Sequence, residues 1–273
     1  MQYDPIKRSL GKVFNQTPAL RIFFYRLLDL LLLRAWYIRR ELRSIARQKK
    51  ESIQVLDAGS GFGQYDYYMS SLGKKWNITG VDVKEEQIAD CNQFFDKINR
   101  SNRVQFEYAD LTKFVRKNTY DLILSVDVME HILEDELVFT NFHQSMKDGA
   151  HLIISTPSDQ GGSDTHHHHE EEGVHGFIDE HVRDGYNAED IRKKLSDAGF
   201  NNIKTSYTYG KAGSISWRLS MKFPIQALNA TKLFFVVLPF YYILTYPIAY
   251  ILNWVDISRK HKTGTGLMVV AQK

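Results

Sequence analysis

The sequence predicts an α/β protein built on a seven-stranded, mostly parallel sheet with helices on both faces. Three observations predict it. Short apolar runs alternate with helical periodicity through the middle of the chain, and the first run ends in a glycine-rich turn. Residues 120–126 are almost wholly apolar, as a strand covered on both faces must be. At 273 residues, 43% hydrophobic and 25% charged, the chain can bury a large core and is not disordered in composition.

The elements follow in order. Residues 18–48 read as one helix, capped by Thr17 and Pro18, with Leu20, Phe23, Phe24, Leu27, Leu28 and Leu31 at helical spacing. Strands are expected at 53–57, 77–83, 104–108, 120–126, 151–155, 202–209 and 266–272. Helices are expected at 64–72, 84–100, 135–146 and 188–198, the last closed by Gly199. Four stretches result: a basic helical segment (1–50), a core (51–210), an apolar insert (211–262) and a final core strand (263–273).

Charge is unevenly spread. Residues 1–50 hold twelve basic side chains against Asp4, Asp29 and Glu41, a net +9, so the remainder of the chain carries −6. A basic amphipathic end points to an anionic partner surface, lipid or nucleic acid. The apolar stretch from Leu27 is interrupted by Asp29 and Arg34 and lacks a small-residue cleavage site, so no cleavable signal is read there. The single Cys91 excludes an internal disulfide, fits a reducing cytosol and reads as a small buried residue.

The strongest motif is Val55-Leu56-Asp57-Ala58-Gly59-Ser60-Gly61-Phe62-Gly63, where the first strand turns into a helix. Glycines there let the backbone approach a ligand closely and offer amide donors at a helix N-terminus. Dinucleotide-binding domains use a similar turn, so the motif alone is weak. Asp82 ends the second strand, where a carboxylate can accept ribose hydroxyls. Asp110 follows the third, within Tyr108-Ala109-Asp110-Leu111.

With these residues the chain resembles the class I S-adenosylmethionine-dependent methyltransferases, small-molecule type, similar to the ubiquinone-pathway group. The resemblance spans roughly 53–210 plus the final strand. It adds Val81-Asp82, Tyr120-Asp121-Leu122-Ile123, Glu130-His131-Ile132 and Ile154-Ser155-Thr156-Pro157 to the pieces above. It implies a Rossmann-like methyltransferase sheet with S-adenosylmethionine as cofactor. Asp57 would orient the turn and the donor's amino group, and Gly59, Ser60 and Gly61 would line its methionine portion. Asp82 would hold the ribose, Asp110 and Leu111 the adenine. Ser125, Val126 and Asp127 would face the sulfonium.

Methyl transfer from a sulfonium is an in-line displacement, so the protein mainly aligns the acceptor and excludes water. A base matters only where the acceptor must lose a proton. His131 is the candidate catalytic base, although a histidine that packs the following helix reads equally well. Asp127, Glu130 and His131 have a spacing that, on one helix face, converges on a cation. Metal is the lesser expectation, and none is assigned.

The polar segment 157–187 holds His166 to His169 and Glu170 to Glu172, and is too long for a simple connection. The run can bind zinc or nickel, but a solvated loop is the plainer reading. Similar methyltransferases carry a His-x-Arg segment over the acceptor pocket, which implies acceptor roles for His181, Arg183 and Tyr186.

Residues 233–252 contain no charge and are long enough to span a bilayer. The last two strands are expected to be sheet neighbours, so both ends of the insert must leave from one side, which excludes a single crossing. Pro239 and Pro247 are expected to break the run into short pieces. Tyrosines and Trp254 suit an interface. The insert is expected to roof the acceptor site.

The function read from all this is methylation, at oxygen or carbon, of a small hydrophobic or lipid-like acceptor. A peripheral protein is expected on the cytoplasmic, inner face of a membrane, with no nucleic-acid partner. The alternatives are a nucleic-acid methyltransferase, which lacks its Asn/Asp-Pro-Pro-aromatic segment here, and a non-catalytic donor-binding protein. A nicotinamide oxidoreductase would need a Tyr-x-x-x-Lys pair and a second nucleotide-binding half, neither of which is seen.

Overall fold

A computed structural model of the chain describes residues 17–48, 52–161, 182–231 and 233–273. The first expected helix is two: α1 (Pro18–Leu31) and α2 (Leu33–Gln48). Thr17 caps α1 by accepting the Leu20 N–H at 3.3 Å. The chain breaks at Leu32, which is extended at φ −92°, ψ 108°. No residue of this leucine run is a helix breaker. The bend instead lets Tyr25 of α1 and Ile38 and Leu42 of α2 enter one core with β1 residues Ile53 and Val55. Residues 18–48 therefore pack into the main body.

Seven strands alternate with helices. They are β1 (Ile53–Ala58), β2 (Trp76–Asp82), β3 (Val104–Tyr108), β4 (Tyr120–Val126), β5 (Met146–Pro157), β6 (Asn201–Thr208) and β7 (Gly266–Gln272). Between them lie α3 (Gln64–Leu72), α4 (Glu85–Lys97), α5 (Asp135–Ser145) and α6 (Ala188–Asp197). The sheet order is β3-β2-β1-β4-β5-β7-β6. The first five strands pair in parallel, and β7 lies antiparallel to both β5 and β6. Alternation along β1 divides the core: Val55 packs with α1, α2 and α4, while Leu56 packs on the other face with α5 and α6.

The insert is a helical hairpin. Its outgoing arm is α7 (Lys211–Trp217), a π-helical turn over Arg218–Lys222, and α8 (Phe223–Ala230). It returns as α9 (Phe234–Ile257), unbroken across 24 residues. The expectation that Pro239 and Pro247 fragment it is corrected. Each proline forfeits one helical bond, but side chains lock α9 to the other arm. Tyr241 and Tyr242 hydroxyls donate to Leu219 and Ser220 carbonyls at 2.6 and 2.7 Å, and Ser216 donates to Ala249 at 3.0 Å.

Three basic residues of α1 and α2, Arg21, Arg34 and Arg39, turn inward, while Arg26, Arg40, Arg43 and Arg47 stay exposed. Arg21, 2% exposed, donates to Asp90 at 3.0 Å, to the Phe62 carbonyl at 2.8 Å and to Tyr25 at 2.7 Å. The Tyr25 hydroxyl also donates to the Phe62 carbonyl. Asp29 accepts from Gln64 at 2.9 Å and pairs with Arg39 at 2.9 Å. Two helices are thus fastened to the glycine turn. Arg21→Ala, which leaves a part-buried carboxylate and a carbonyl short of donors, should lower unfolding stability by roughly 2 kcal/mol. Urea denaturation measures this, and a loss under about 0.5 kcal/mol, the scatter of ordinary surface substitutions, would mean the clamp is incidental.

Candidate active site

The turn after β1 is held by its neighbour strand. Gly59 and Ser60 N–H groups both donate to the Val81 carbonyl, at 2.8 and 3.0 Å. Gly59 has φ +86°, and a Cβ there would stand 2.2 Å from Val128 on the loop after β4. The close approach requires glycine. Asp82 receives the Gly61 N–H on one carboxylate oxygen and the Lys84 N–H on the other, each at 3.0 Å. A carboxylate has about four acceptor sites, so capacity for two hydroxyls remains.

The Ala109 N–H donates to the Asp82 carbonyl at 3.1 Å, which brings the end of β3 beside Asp82. Asp110 accepts from the Thr112 hydroxyl at 2.7 Å and its N–H at 3.0 Å. These bonds hold the Asp110 carboxyl below its ordinary range. Leu111 is buried, and its carbonyl takes the Asn141 amide at 3.0 Å. The ribose and adenine candidates therefore share one edge.

Below the turn, the Ser60 and Ser125 hydroxyls are buried without hydrogen-bond partners. The Asp57 and Asp66 carboxyls are buried against each other beside them, and Tyr65 is buried against Arg34. Unsatisfied buried polar atoms are costly and call for an explanation. Clustered where β1 and β4 end, they fit a polar ligand laid across the turn, as S-adenosylmethionine would be. Burial pushes the Asp57 carboxyl up to about 7, and burial with the neighbouring Asp57 raises Asp66 well above the usual range.

At the end of β4, Asp127 adopts φ 52° and its N–H donates to the Ser155 carbonyl at 2.8 Å. Its carboxylate pairs with Arg34 of α2. The Arg34 N–H donates to the Tyr209 hydroxyl at 2.9 Å, just past β6. Glu130 is buried, accepts from Thr156 at 3.1 Å, and is raised in pKa by burial. His131 ends a three-residue helical turn, Met129–His131. Asp127 lies before that turn, so it does not share a helical face with Glu130 and His131. Among the described residues no group of three or more His, Cys, Asp or Glu is placed to hold a metal ion.

Arg183 and Tyr186 come together, but on a protein carboxylate. Arg183 pairs with Asp135 and donates to the Ile132 and Leu133 carbonyls at 2.7 and 3.1 Å. The buried Tyr186 hydroxyl reaches Asp135 at 2.7 Å, and Lys194 joins at 2.9 Å. The anionic partner of Arg183 in this state is Asp135. An open cleft of about 590 Å³ adjoins, lined by Leu133, Asp135, Val182, Arg183, Tyr186 and Lys194 among others. His181 and the His166 to His169 run lie outside the described residues.

Sequence reasoning missed Arg34, Tyr65, Asp66 and Tyr209. Asp66 and Tyr65 sit in the first turn of α3, where an acid reads as dipole compensation. Arg34 and Tyr209 are 175 positions apart. No local signal joins them.

A family model described as a methyltransferase domain matches residues 32–205. The chain belongs to that family. Phosphoethanolamine N-methyltransferase 1 of Triticum aestivum is 30% identical over 155 residues, covering 56% of this chain and 29% of that protein. The mitochondrial ubiquinone biosynthesis O-methyltransferase of Homo sapiens is 28% identical over 108 residues, covering 38% of this chain and 28% of that protein. The chain thus spans under a third of these relatives' length. Among solved structures, Haemonchus contortus phosphoethanolamine N-methyltransferase 2 in complex with S-adenosyl-L-methionine aligns with TM-score 0.60 at 16% identity, over 97% of this chain and 59% of that one. A Galdieria sulphuraria protein described as a putative sarcosine dimethylglycine methyltransferase gives TM-score 0.60 at 15% identity, over 88% and 86%. These two likenesses carry the fold.

Two outcomes follow for this methyltransferase. Asp82→Ala should weaken S-adenosylmethionine binding by about 1.5–3 kcal/mol, the worth of charge-assisted hydrogen bonds, and Gly59→Ala should abolish it; calorimetric titration reads both. The second is a pH effect. The folded Asp57 carboxyl binds its proton more tightly than the unfolded one, so folding stability falls as pH rises from about 4 through about 7, and Asp66, raised further, extends the fall above that. Asp66→Asn, which removes a neighbouring carboxyl, should flatten that fall and stabilise the donor-free chain above pH 7. An unchanged slope in denaturation midpoints would show that the two carboxyls do not interact.

Proposed function

We propose that this methyltransferase acts on a small hydrophobic, lipid-like acceptor, as a peripheral protein at the cytoplasmic face of a membrane. The observation that carries the reading is a short chain of contacts from the apolar hairpin to the donor-facing loop. Asp256 of α9 accepts from Tyr37 at 2.8 Å and from the Gly213 N–H at 2.9 Å. Three residues before Tyr37 on α2, Arg34 holds Asp127, and Tyr209 at the start of the hairpin holds Arg34. An acceptor approaching along the hairpin meets the end of β4.

The donor, when bound, supplies an already activated methyl group. The chain's residues do the rest. Gly59 to Gly61 and Asp82 position the donor, α1 and α2 cover the turn and keep water out, and Arg34 fixes Asp127. His131 would take the proton of an oxygen or carbon acceptor. A nitrogen acceptor is the second reading. Asp127 and Glu130 near the end of β4 favour it, as does the naming of several relatives as N-methyltransferases, acting on phosphoethanolamine, coclaurine or tetrahydroprotoberberine.

Release of S-adenosylhomocysteine should be stimulated by lipid extract and not by RNA or water-soluble amines. Stimulation by the amines alone would select the nitrogen reading and reject the lipid-like acceptor. His131→Ala should lower turnover roughly 10²–10⁴-fold for an oxygen or carbon acceptor, with donor affinity kept. An unchanged rate assigns His131 to packing.

A further inference from the structure

We propose that α9 lies in the plane of a bilayer interface, its outward stripe sunk among the lipids and the cationic outgoing arm beside it on anionic headgroups. This rests on the peripheral reading above, and gives it a surface and a lipid class.

The stripe is continuous. Val236, Phe240, Ile243, Leu244, Ile251 and Trp254 are 61–73% exposed and recur at helical spacing along one side of α9. Over 24 residues that side runs for about 36 Å at 1.5 Å per residue. Only Ala249, Asn253 and Asp256 are buried in α9, so the outgoing arm and α2 cover one face and leave the opposite side uncovered. A helix apolar all round is ordinarily enclosed by protein or lipid, and exposed patches of this size mark a contact.

The hairpin satisfies many of its own polar groups. Tyr241, Tyr242, Ser216 and Thr245 all donate to carbonyls within it, at 2.6 to 3.0 Å. Small residues, Gly213, Ser216 and Ser220, are buried in the outgoing arm and Ala249 is buried opposite them. Both features are what helices beside lipid require.

Charge selects the occupant. Residues 211–262 contain seven Lys or Arg and a single acid, Asp256, which is fully buried. A second copy of this surface would therefore offer the cations no partner, whereas anionic headgroups do. Arg218 and Lys222 stand on the outgoing arm, and Arg259, Lys260 and Lys262 follow the C-terminal end of α9, beyond Trp254. Their positions also fix the orientation. Entry tip-first would carry the exposed Arg218 toward the hydrocarbon, while an in-plane helix leaves it at the headgroups. Both ends of the hairpin stay on the side of the sheet, since Thr265 N–H donates to the Tyr209 carbonyl at 3.3 Å across its base.

The test uses the full chain with vesicles of phosphatidylcholine alone or with phosphatidylglycerol. Wild type should float with the mixed vesicles, more weakly at high salt but not abolished. Ile243→Glu and Ile251→Glu, at exposed positions, should each lower partitioning about tenfold or more while donor affinity and monomer mass are unchanged. Because Cys91 is buried, Val236→Cys, Ile243→Cys and Ile251→Cys can be labelled singly with a fluorophore. In-plane docking requires similar quenching of all three by lipid-borne quenchers. A graded depth, with position 236 deepest and 251 in water, overturns the orientation. No flotation with either vesicle, or a dimer in light scattering that Ile243→Glu dissociates, overturns the lipid occupant. Turnover on detergent-dispersed acceptor is read separately, so loss of docking is not confused with a wrong acceptor.

Discussion

Strand β7 slots antiparallel between β5 and β6, and much of the molecule depends on that one pairing. Because β6 runs with the first five strands, it ends at the donor edge of the sheet, and β7 must begin at that same edge. The 52 residues of 211–262 have to leave and return there. A hairpin is the natural answer. Its base is then held beside the glycine turn and the end of β4, and an apolar helix that could span a bilayer by length is denied a single crossing.

The second organising feature is electrostatic. The first described helices carry cations that the body needs internally. Arg21 ties α1 to the Phe62 carbonyl and Asp90, Arg39 ties α2 back to Asp29, and Arg34 reaches the loop after β4. These contacts turn a basic segment into a cover over the donor turn. The same site keeps two carboxyls, Asp57 and Asp66, together in a buried place. Burial makes their proton affinity high, so a cationic ligand group laid against them has an electrostatic reason to bind.

The nitrogen and oxygen readings of the acceptor differ in what they ask of this site. A neutral amine needs no strong base to attack a sulfonium and gains from nearby acids such as Asp127 and Glu130. A hydroxyl or an activated carbon needs His131 to accept a proton. Arg183 and Tyr186 serve either case indirectly, because their bonds to Asp135 and to the Ile132 and Met129 carbonyls fix the loop that carries His131.

Seven strands, their mostly parallel arrangement, the glycine turn and the positions of Asp57, Asp82 and Asp110 were all readable in the sequence. Each depends on local rules: alternating burial, turn chemistry and the spacing of a strand–turn–helix unit. The same rules failed at three places. Leu32 breaks a helix without a breaker, because Tyr25 and Leu42 must reach one core. Pro239 and Pro247 fail to break one, because α9 is locked side by side to Leu219 and Ser220. Asp127 leaves the cation-binding face its spacing implied, because the helical turn starts only at Met129 and Arg34 claims its carboxylate. In each case packing in three dimensions decides, as when the core around Ile53 and Val55 draws in both helices and Arg34 meets Tyr209 and Asp127.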